Sequence, residues 1–458
     1  MKAISPAPSA SRDGTVTRDL ARRAAALRYA DLPDDIRRLA RQCLLDWFAV
    51  TLPGAREELT RILLNEAAEQ GGRPVASLIG HAVKTSTQQA ALVNGAASHA
   101  LDYDDVNLTL GGHPTVPIVP ALLALAEARG ATGKELIAAF VAGYETECRI
   151  GALVAPGHYA RGFHATATVG SFGAAAACAH LLGLDAEQTA VALGIAGTQA
   201  AGLKSMFGTM CKPLHAGKAA QNGLLAATLA ARGFTSRDDV LECTQGFAAT
   251  QSSDFDADAA LADPPGGYHL RDNLFKYHAA CYLTHAPIEC GREIRRRGGA
   301  SGAVQSVLLR VDRGASKVCH IPAPRTGLEA KFSLRLTSAL ALAGRDTAAL
   351  ATYSDAVAAD PALIALRDKV TVDFQSGWPQ TLAEMTVVLA DGTSFEARHD
   401  SGVPASDLAA QEKRLDAKYA SLASPVLGET RARELAACVA ELDTLRSAGE
   451  LMRLAVPA

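Results

Sequence analysis

Apolar residues recur at helical spacing through most of the first 265 positions. In DLPDDIRRLARQCLLDWFAVTLPG (31–54) an acidic turn follows Pro33, and Ile36, Leu39, Cys43, Leu44 and Phe48 share one face before a Pro-Gly stop. TSTQQAALVNGAASHALDY (85–103), TVPIVPALLALAEARG (115–130) and TGKELIAAFVAGYETECRIGALV (132–154) repeat the pattern. HATATVGSFGAAAACAHLLG (164–183) and PLHAGKAAQNGLLAATLAARG (213–233) place Gly and Ala three and four apart, which predicts helices that approach one another closely.

After about residue 268 the period changes. VQSVLLRVDR (304–313), KVTVDF (369–374) and EMTVVLADGTSFEARHD (384–400) alternate and are rich in Val and Thr, with Asp391-Gly392 predicting a two-residue hairpin turn. Helical patterns intervene at 326–345 and 346–359, and amphipathic helix returns from Ser406 to Leu451. The expectation is a mainly α protein: a disordered N-terminus (1–15), a large all-helical domain (16–268), a smaller α+β domain (269–405), and C-terminal helices (406–458) packing back on the first domain. No repeat period is present.

Composition narrows the function classes. With 458 residues, 48% hydrophobic and 20% charged, the chain is globular and long enough for two domains. A formal charge of −3, with scattered Lys and Arg, excludes the electrostatic footprint of a nucleic-acid or anionic-membrane binder. Nine dispersed cysteines without a C-x-x-C predict reduced thiols and a cytoplasmic protein. MKAISPAPSASRDGT lacks the apolar segment of a signal peptide, and no stretch of 18 apolar residues predicts a membrane span.

Four stretches carry candidate chemistry. LDYDDVNLTLGGHP (101–114) places Asp102, Asp104 and Asp105 at the end of an Ala-rich helix, with His99 before them and His113 after. A metal site, a solvated turn and acid/base chemistry are the three readings. A calcium loop fails, because Val106, Asn107 and His113 fall where an oxygen ligand, Gly and Glu are required. Acids also oppose the dipole at a helix C-terminus, at about 0.3–1 kcal/mol each, so a solvated end would more naturally carry Lys or Arg. In RGFHATATVGSFG, Arg161 and His164 precede a buried helix whose free N–H groups favour a carboxylate; a capping histidine is the alternative. In MCKPLHAGKAAQNG, Lys212 and His215 sit in a first helical turn, where a cation needs an anion or buried acid unless it reaches solvent. NLFKYHAACYLTHAP, at the domain junction, supplies Lys276, His278 and Cys281, the last either a nucleophile or an inert thiol. The glycine motifs of dinucleotide sites and P-loops and the G-x-S-x-G of α/β-hydrolases are absent. What remains is a site for a small polycarboxylate with proton transfer at carbon.

Together with HALDYDDV…GGHPTVPIVPALLALAE, RGFHATATVGSFGAAAA, KPLHAGKAAQNG, the K-x₇-T-H from Lys276 to His285, and PRTGLEAKFS at 324–333, these stretches resemble the MmgE/PrpD family over residues 16 to 450. That family includes 2-methylcitrate dehydratases, cis-aconitate decarboxylases and iminodisuccinate epimerases. The resemblance implies a helical domain with an α+β lid, a homodimer, an interdomain cleft, and a reaction needing no metal or organic cofactor. It implies catalytic roles for Asp102, His113, His164, Lys212 and Lys276, with Arg161, His215, His278 and Cys281 as substrate-binding candidates. Dehydration of a tricarboxylate such as 2-methylcitrate is the first expectation. Epimerisation of a dicarboxylate such as iminodisuccinate or decarboxylation of cis-aconitate is the alternative, and a non-catalytic carboxylate-binding paralogue the third. The chain departs from the decarboxylase pattern at Val106 (a threonine there), at one extra residue before His113, at Cys281 (a histidine) and at Leu336 (a tyrosine).

Overall fold

The computed structural model describes residues 16–457; the segment 1–15 lies outside the described residues. The apolar stripes become helices α1 (Asp34–Gly54), α2 (Thr87–His99), α3 (Thr115–Arg129), α4 (Gly133–Val154), α5 (Ala165–Leu181) and α6 (Cys211–Ala230). Local chemistry sets their ends. The Ser86 hydroxyl accepts from Gln89 N at the start of α2, Thr132 and Glu135 form a reciprocal capping box on α4, and Gly130 closes α3 at φ 70°. Helix α6 packs against both α2 and α5, and α5 against α4. The small residues make these crossings possible: a Cβ on Gly217 would lie 2.2 Å from the Leu92 carbonyl oxygen, and one on Gly223 2.4 Å from Ala174 Cβ.

The second region joins α7 (His285–Arg296), β1 (Val304–Asp312), α8 (Leu334–Leu342), β2 (Val370–Gln375), β3 (Leu382–Leu389) and β4 (Ser394–Asp400). Strand order is β2-β1-β3-β4, with β1 and β2 parallel and the remaining pairs antiparallel. The parallel pair needs a long crossover, and α8 lies within it. Val307, Leu309 and Val311 of β1 and Ala383, Met385 and Val387 of β3 form a second core, beneath Cys290 and Ile294 of α7. The fold is therefore mainly α with a smaller α+β part.

Two local expectations are corrected. The β3–β4 turn is centred on Ala390-Asp391, with Gly392 following at φ 86°; Gly392 N bonds Leu389 O at 3.0 Å, so the glycine supplies the left-handed step after the turn. The helical pattern at 346–359 is realised only in part, as a 3-10 turn at Leu350–Thr352 and a single α-helical turn at Asp355–Ala358 capped by Ser354, and a further helix follows where Asp360 caps Pro361–Arg367.

Helix α9 (Leu408–Leu427) lies along α1, and its Leu415, Tyr419, Leu422 and Ala423 enter the helical core. Among the described residues no helix is long and apolar enough to cross a membrane.

Candidate active site

Helix α2 ends at His99, and the next turns reverse the chain so that its carboxylates face inward. Asp102 adopts φ 50°, a left-handed conformation in which Asp is tolerated at a cost. Its Oδ1 accepts from Lys212 Nζ at 2.8 Å and from Lys276 Nζ at 3.0 Å. Lys276 also donates to the Asp102 carbonyl at 2.6 Å. His113 Nε2 stands 3.6 Å from the same carboxylate oxygen. The return that brings His113 back uses Gly111 at φ 66° and Gly112, where a Cβ would meet Thr166 Oγ1 at 2.9 Å. Thr166 Oγ1 then accepts from His113 N at 3.0 Å. A backbone bridge, Val106 N to Leu274 O at 2.8 Å and its reciprocal, ties this arm to the segment carrying Lys276.

Burial alone would raise the Asp102 carboxyl, but the Lys212 and Lys276 ammoniums, helped by His113 and His99, hold it well below the usual carboxylate range. Asp104 is shared by two imidazoles. His99 Nδ1 is 2.9 Å from both its oxygens, and His113 Nδ1 is 2.9 Å from Oδ2, an ion-pair distance without hydrogen-bond alignment. Burial pushes Asp104 up, and His113 and His99 more than offset it, so Asp104 also stays ionised. Asp105 behaves oppositely: burial pushes it up to about 8, the Thr115 hydroxyl that donates to it only partly opposing this. Three adjacent carboxyls thus divide into two anions and one group protonated at neutral pH.

His99 and His164 are held neutral. Burial pulls His99 down to about 4 against the pull of Asp104, and burial with neighbouring positive groups takes His164 well below its ordinary value. His164 stands at the N-cap position of α5 without a side-chain capping bond; its Nδ1 is 3.1 Å from His215 Nδ1 and its ring is stacked on His99 at 5.8 Å. Among the described residues His99 Nε2 is buried without a partner, and the ring centroids of His99 and His113 lie 4.6 Å apart.

Asp102, His113, His164 and Lys212 thus converge with Lys276, and His215 joins through His164. Cys281 is buried and within electrostatic reach of Asp102 and Lys276, its thiol drawn down first by Cys319. Arg161 and His278 do not join. Arg161 is exposed and donates to the Thr250 carbonyl at 3.2 Å. His278 is locked in a separate buried network with Thr347 at 2.8 Å and Glu289 at 3.2 Å. Leu336 is wholly buried in the helical core, so that position sends no hydroxyl into the site. His99 joins the cluster although no role is predicted for it from the chain; its place three residues before Asp102 is the available signal. Lys331, equally unpredicted, lies within electrostatic reach of the site: burial destabilises its ammonium, and Asp102 and Glu57 partly restore it.

One ligand atom each from His99, Asp102, Asp104 and His113 lie within 4.8 Å of one another, a donor set a metal ion could use. Asp102 Oδ1, however, already carries two ammonium groups, so the positive charge at this oxygen comes from lysine.

Comparison with known proteins matches residues 18–260 to the MmgE/PrpD N-terminal domain and residues 278–444 to the MmgE/PrpD C-terminal domain. The chain is 27% identical to a cis-aconitate decarboxylase of Aspergillus terreus (strain NIH 2624 / FGSC A1156), over 96% of this chain and 95% of the relative. It is 26% identical to a human cis-aconitate decarboxylase, over 96% and 94%. A cis-aconitate decarboxylase-like protein of Aspergillus oryzae (oryM) is 32% identical over 51% of this chain and 50% of its own length.

Proposed function

The chain belongs to the MmgE/PrpD family, and from that premise we propose that it is a lyase acting on a small tricarboxylate by proton transfer at carbon, with cis-aconitate the first candidate substrate. The observation that carries this reading is the convergence of Lys212 and Lys276 on Asp102, flanked by His113 and His164. Two ammoniums fixed by an ionised carboxylate leave N–H donors for substrate carboxylates. In decarboxylation the bond from carbon to the leaving carboxylate breaks, carbon dioxide departs, and the electron pair spreads into a neighbouring carboxylate held by a lysine. A proton delivered by an imidazole then completes the new C–H bond. Lysine contact with the developing charge lowers the barrier more than it stabilises the substrate. Asp104, 2.9 Å from His113 Nδ1, is placed to accept from that imidazole once the ring aligns during the reaction.

Cys281 and the buried Leu336, in place of a histidine and a tyrosine, favour a second reading. With those groups changed, the same cluster serves dehydration of a hydroxy acid such as 2-methylcitrate: one group as base removes the proton next to a carboxylate, and a second as acid gives a proton to the departing hydroxyl, which leaves as water. Both routes share a carbanion stabilised by lysine, as would epimerisation of a dicarboxylate. Cis-aconitate, 2-methylcitrate, citrate and iminodisuccinate, assayed for carbon dioxide, for dehydration and for change in optical rotation, separate these outcomes. Binding of all four without turnover of any would overturn the lyase reading in favour of a carboxylate-binding protein.

A further inference from the structure

The turn that carries Asp102 is gripped from a third direction, by a residue more than 300 positions later in the chain. Lys418 of α9 is 3% exposed and donates to the Tyr103 carbonyl at 2.8 Å. The same ammonium lies 4.0 Å from the centroid of the Tyr103 ring. It also donates to Asp46 Oδ1 of α1 at 2.6 Å, and both side chains of this pair are 2% exposed. Tyr103 is itself wholly buried, and its hydroxyl donates to the Ala348 carbonyl at 3.2 Å. Successive carbonyls of the active-site turn, Asp102 O and Tyr103 O, are therefore each held by a separate buried lysine, Lys276 and Lys418.

A lysine and an aspartate removed from water are costly to bury, and an apolar pair of similar size would often serve stability as well or better. The pair is not explained by helix packing alone, since Leu415 and Leu422 already dock the same helix in the core. What the ammonium supplies that an apolar side chain lacks is a donor aimed at the carbonyl next to Asp102. That backbone bears a non-glycine residue at φ 50°, a conformation that persists only where its surroundings over-determine it.

We propose that Lys418 is a positioning residue, which holds the Asp102–Tyr103 backbone in the left-handed turn that presents the Asp102 carboxylate to Lys212 and Lys276, while Asp46 makes the buried ammonium tolerable. Lys418 touches no reacting group and acts through Asp102. Its kinetic consequence rests on the lyase reading; its structural consequence does not.

The test compares two variants of the full chain that pull stability and positioning apart. Asp46→Asn keeps an acceptor for Lys418 and its bond to Tyr103 O but removes the compensating charge. It is expected to lower Tm and leave kcat within about threefold of the parent. The double variant Asp46→Leu/Lys418→Met removes both charges together and is expected to keep Tm while kcat falls about 10²-fold, the loss typical of a displaced catalytic group. A crystal structure of the double variant is expected to show Asp102 out of the left-handed region and no longer shared by both lysines. The proposal is overturned if the double variant keeps parental kcat, or if its crystal structure retains Asp102 at φ near 50° on both ammoniums. Should the parent turn over none of the four candidate acids, the lyase reading fails, and the crystal structure alone still decides the positioning role.

Discussion

At the scale of single residues, the site depends on Asp102 doing two things at once, holding an unfavourable backbone conformation and carrying charge. Asn and Asp are the side chains that best tolerate that conformation, so Asp102→Asn separates the two tasks. The variant is expected to fold with little loss of stability and to lose about 10²–10⁴-fold in kcat on whichever acid the parent turns over. Lys276→Met removes the donor to both Asp102 O and Oδ1 and is expected to lose at least as much. Parental kcat in either variant would remove the substituted residue from the machinery. Much of this was legible in the chain, since an acid triplet at a helix C-terminus and a lysine at a helix N-terminus are each misplaced electrostatically until they meet. Which acid takes which partner was not legible. Asp104 and Asp105 are neighbours in sequence, yet one faces two imidazoles and the other the Thr115 hydroxyl, a division set by the path of a turn that local pattern does not encode.

At the scale of elements, the closely packed small residues translate into geometry at the helix crossings, and the same logic reaches the site through Gly112. Its backbone does not need a left-handed conformation, so Ala is allowed there by φ, but the added Cβ would press on Thr166 Oγ1 at 2.9 Å and Thr166 N at 3.0 Å. Those atoms start α5 and hold His113 N. Gly112→Ala is therefore expected to shift His113 against Asp104 and lower kcat about tenfold or more, with stability falling by about 1–3 kcal/mol. Urea unfolding and steady-state kinetics check the two parts, and a variant with parental kcat would show that the arm adapts without moving His113. The elements themselves were largely readable: helical period, caps and the Val-rich strands all appear. The parallel pairing of β1 with β2 was not, because strand direction depends on the crossover through α8 and not on either strand's own residues.

At the scale of the whole molecule, long-range joins are what the linear pattern conceals. The Lys418–Asp46 pair joins two helices far apart in the chain, and the Lys276–Asp102 pair joins segments 174 positions apart; neither partner announces the other by spacing. These joins leave many ionisable groups buried, and their shifts have opposite signs. Eight of the described histidines are pulled down, His99, His158 and His269 to about 4, mainly by burial. A histidine of lowered pKa binds its proton more readily unfolded, so these groups reduce stability as pH falls from about 6.5 towards 4. Burial pushes Asp46 up to about 6, Glu145 to about 7 and Asp105 to about 8. The stability those acids contribute is present below their unfolded value, near 4, and is lost as pH rises through the folded value. The two sets oppose one another between about pH 4.5 and 6.5. Below that window Asp102 and Asp104, held well below the usual range, add a loss as they protonate. Above about 6.5 the histidines no longer contribute, and stability is expected to fall until Asp105 has ionised near pH 8. Asp105→Asn, which keeps an acceptor for Thr115 and cannot ionise, is expected to make that decline shallower while matching the parent more closely at pH 5. Urea midpoints of both proteins at pH 5, 6.5 and 8 measure it, and equal slopes for parent and variant between 6.5 and 8 would show that Asp105 is not the protonated member of the triplet.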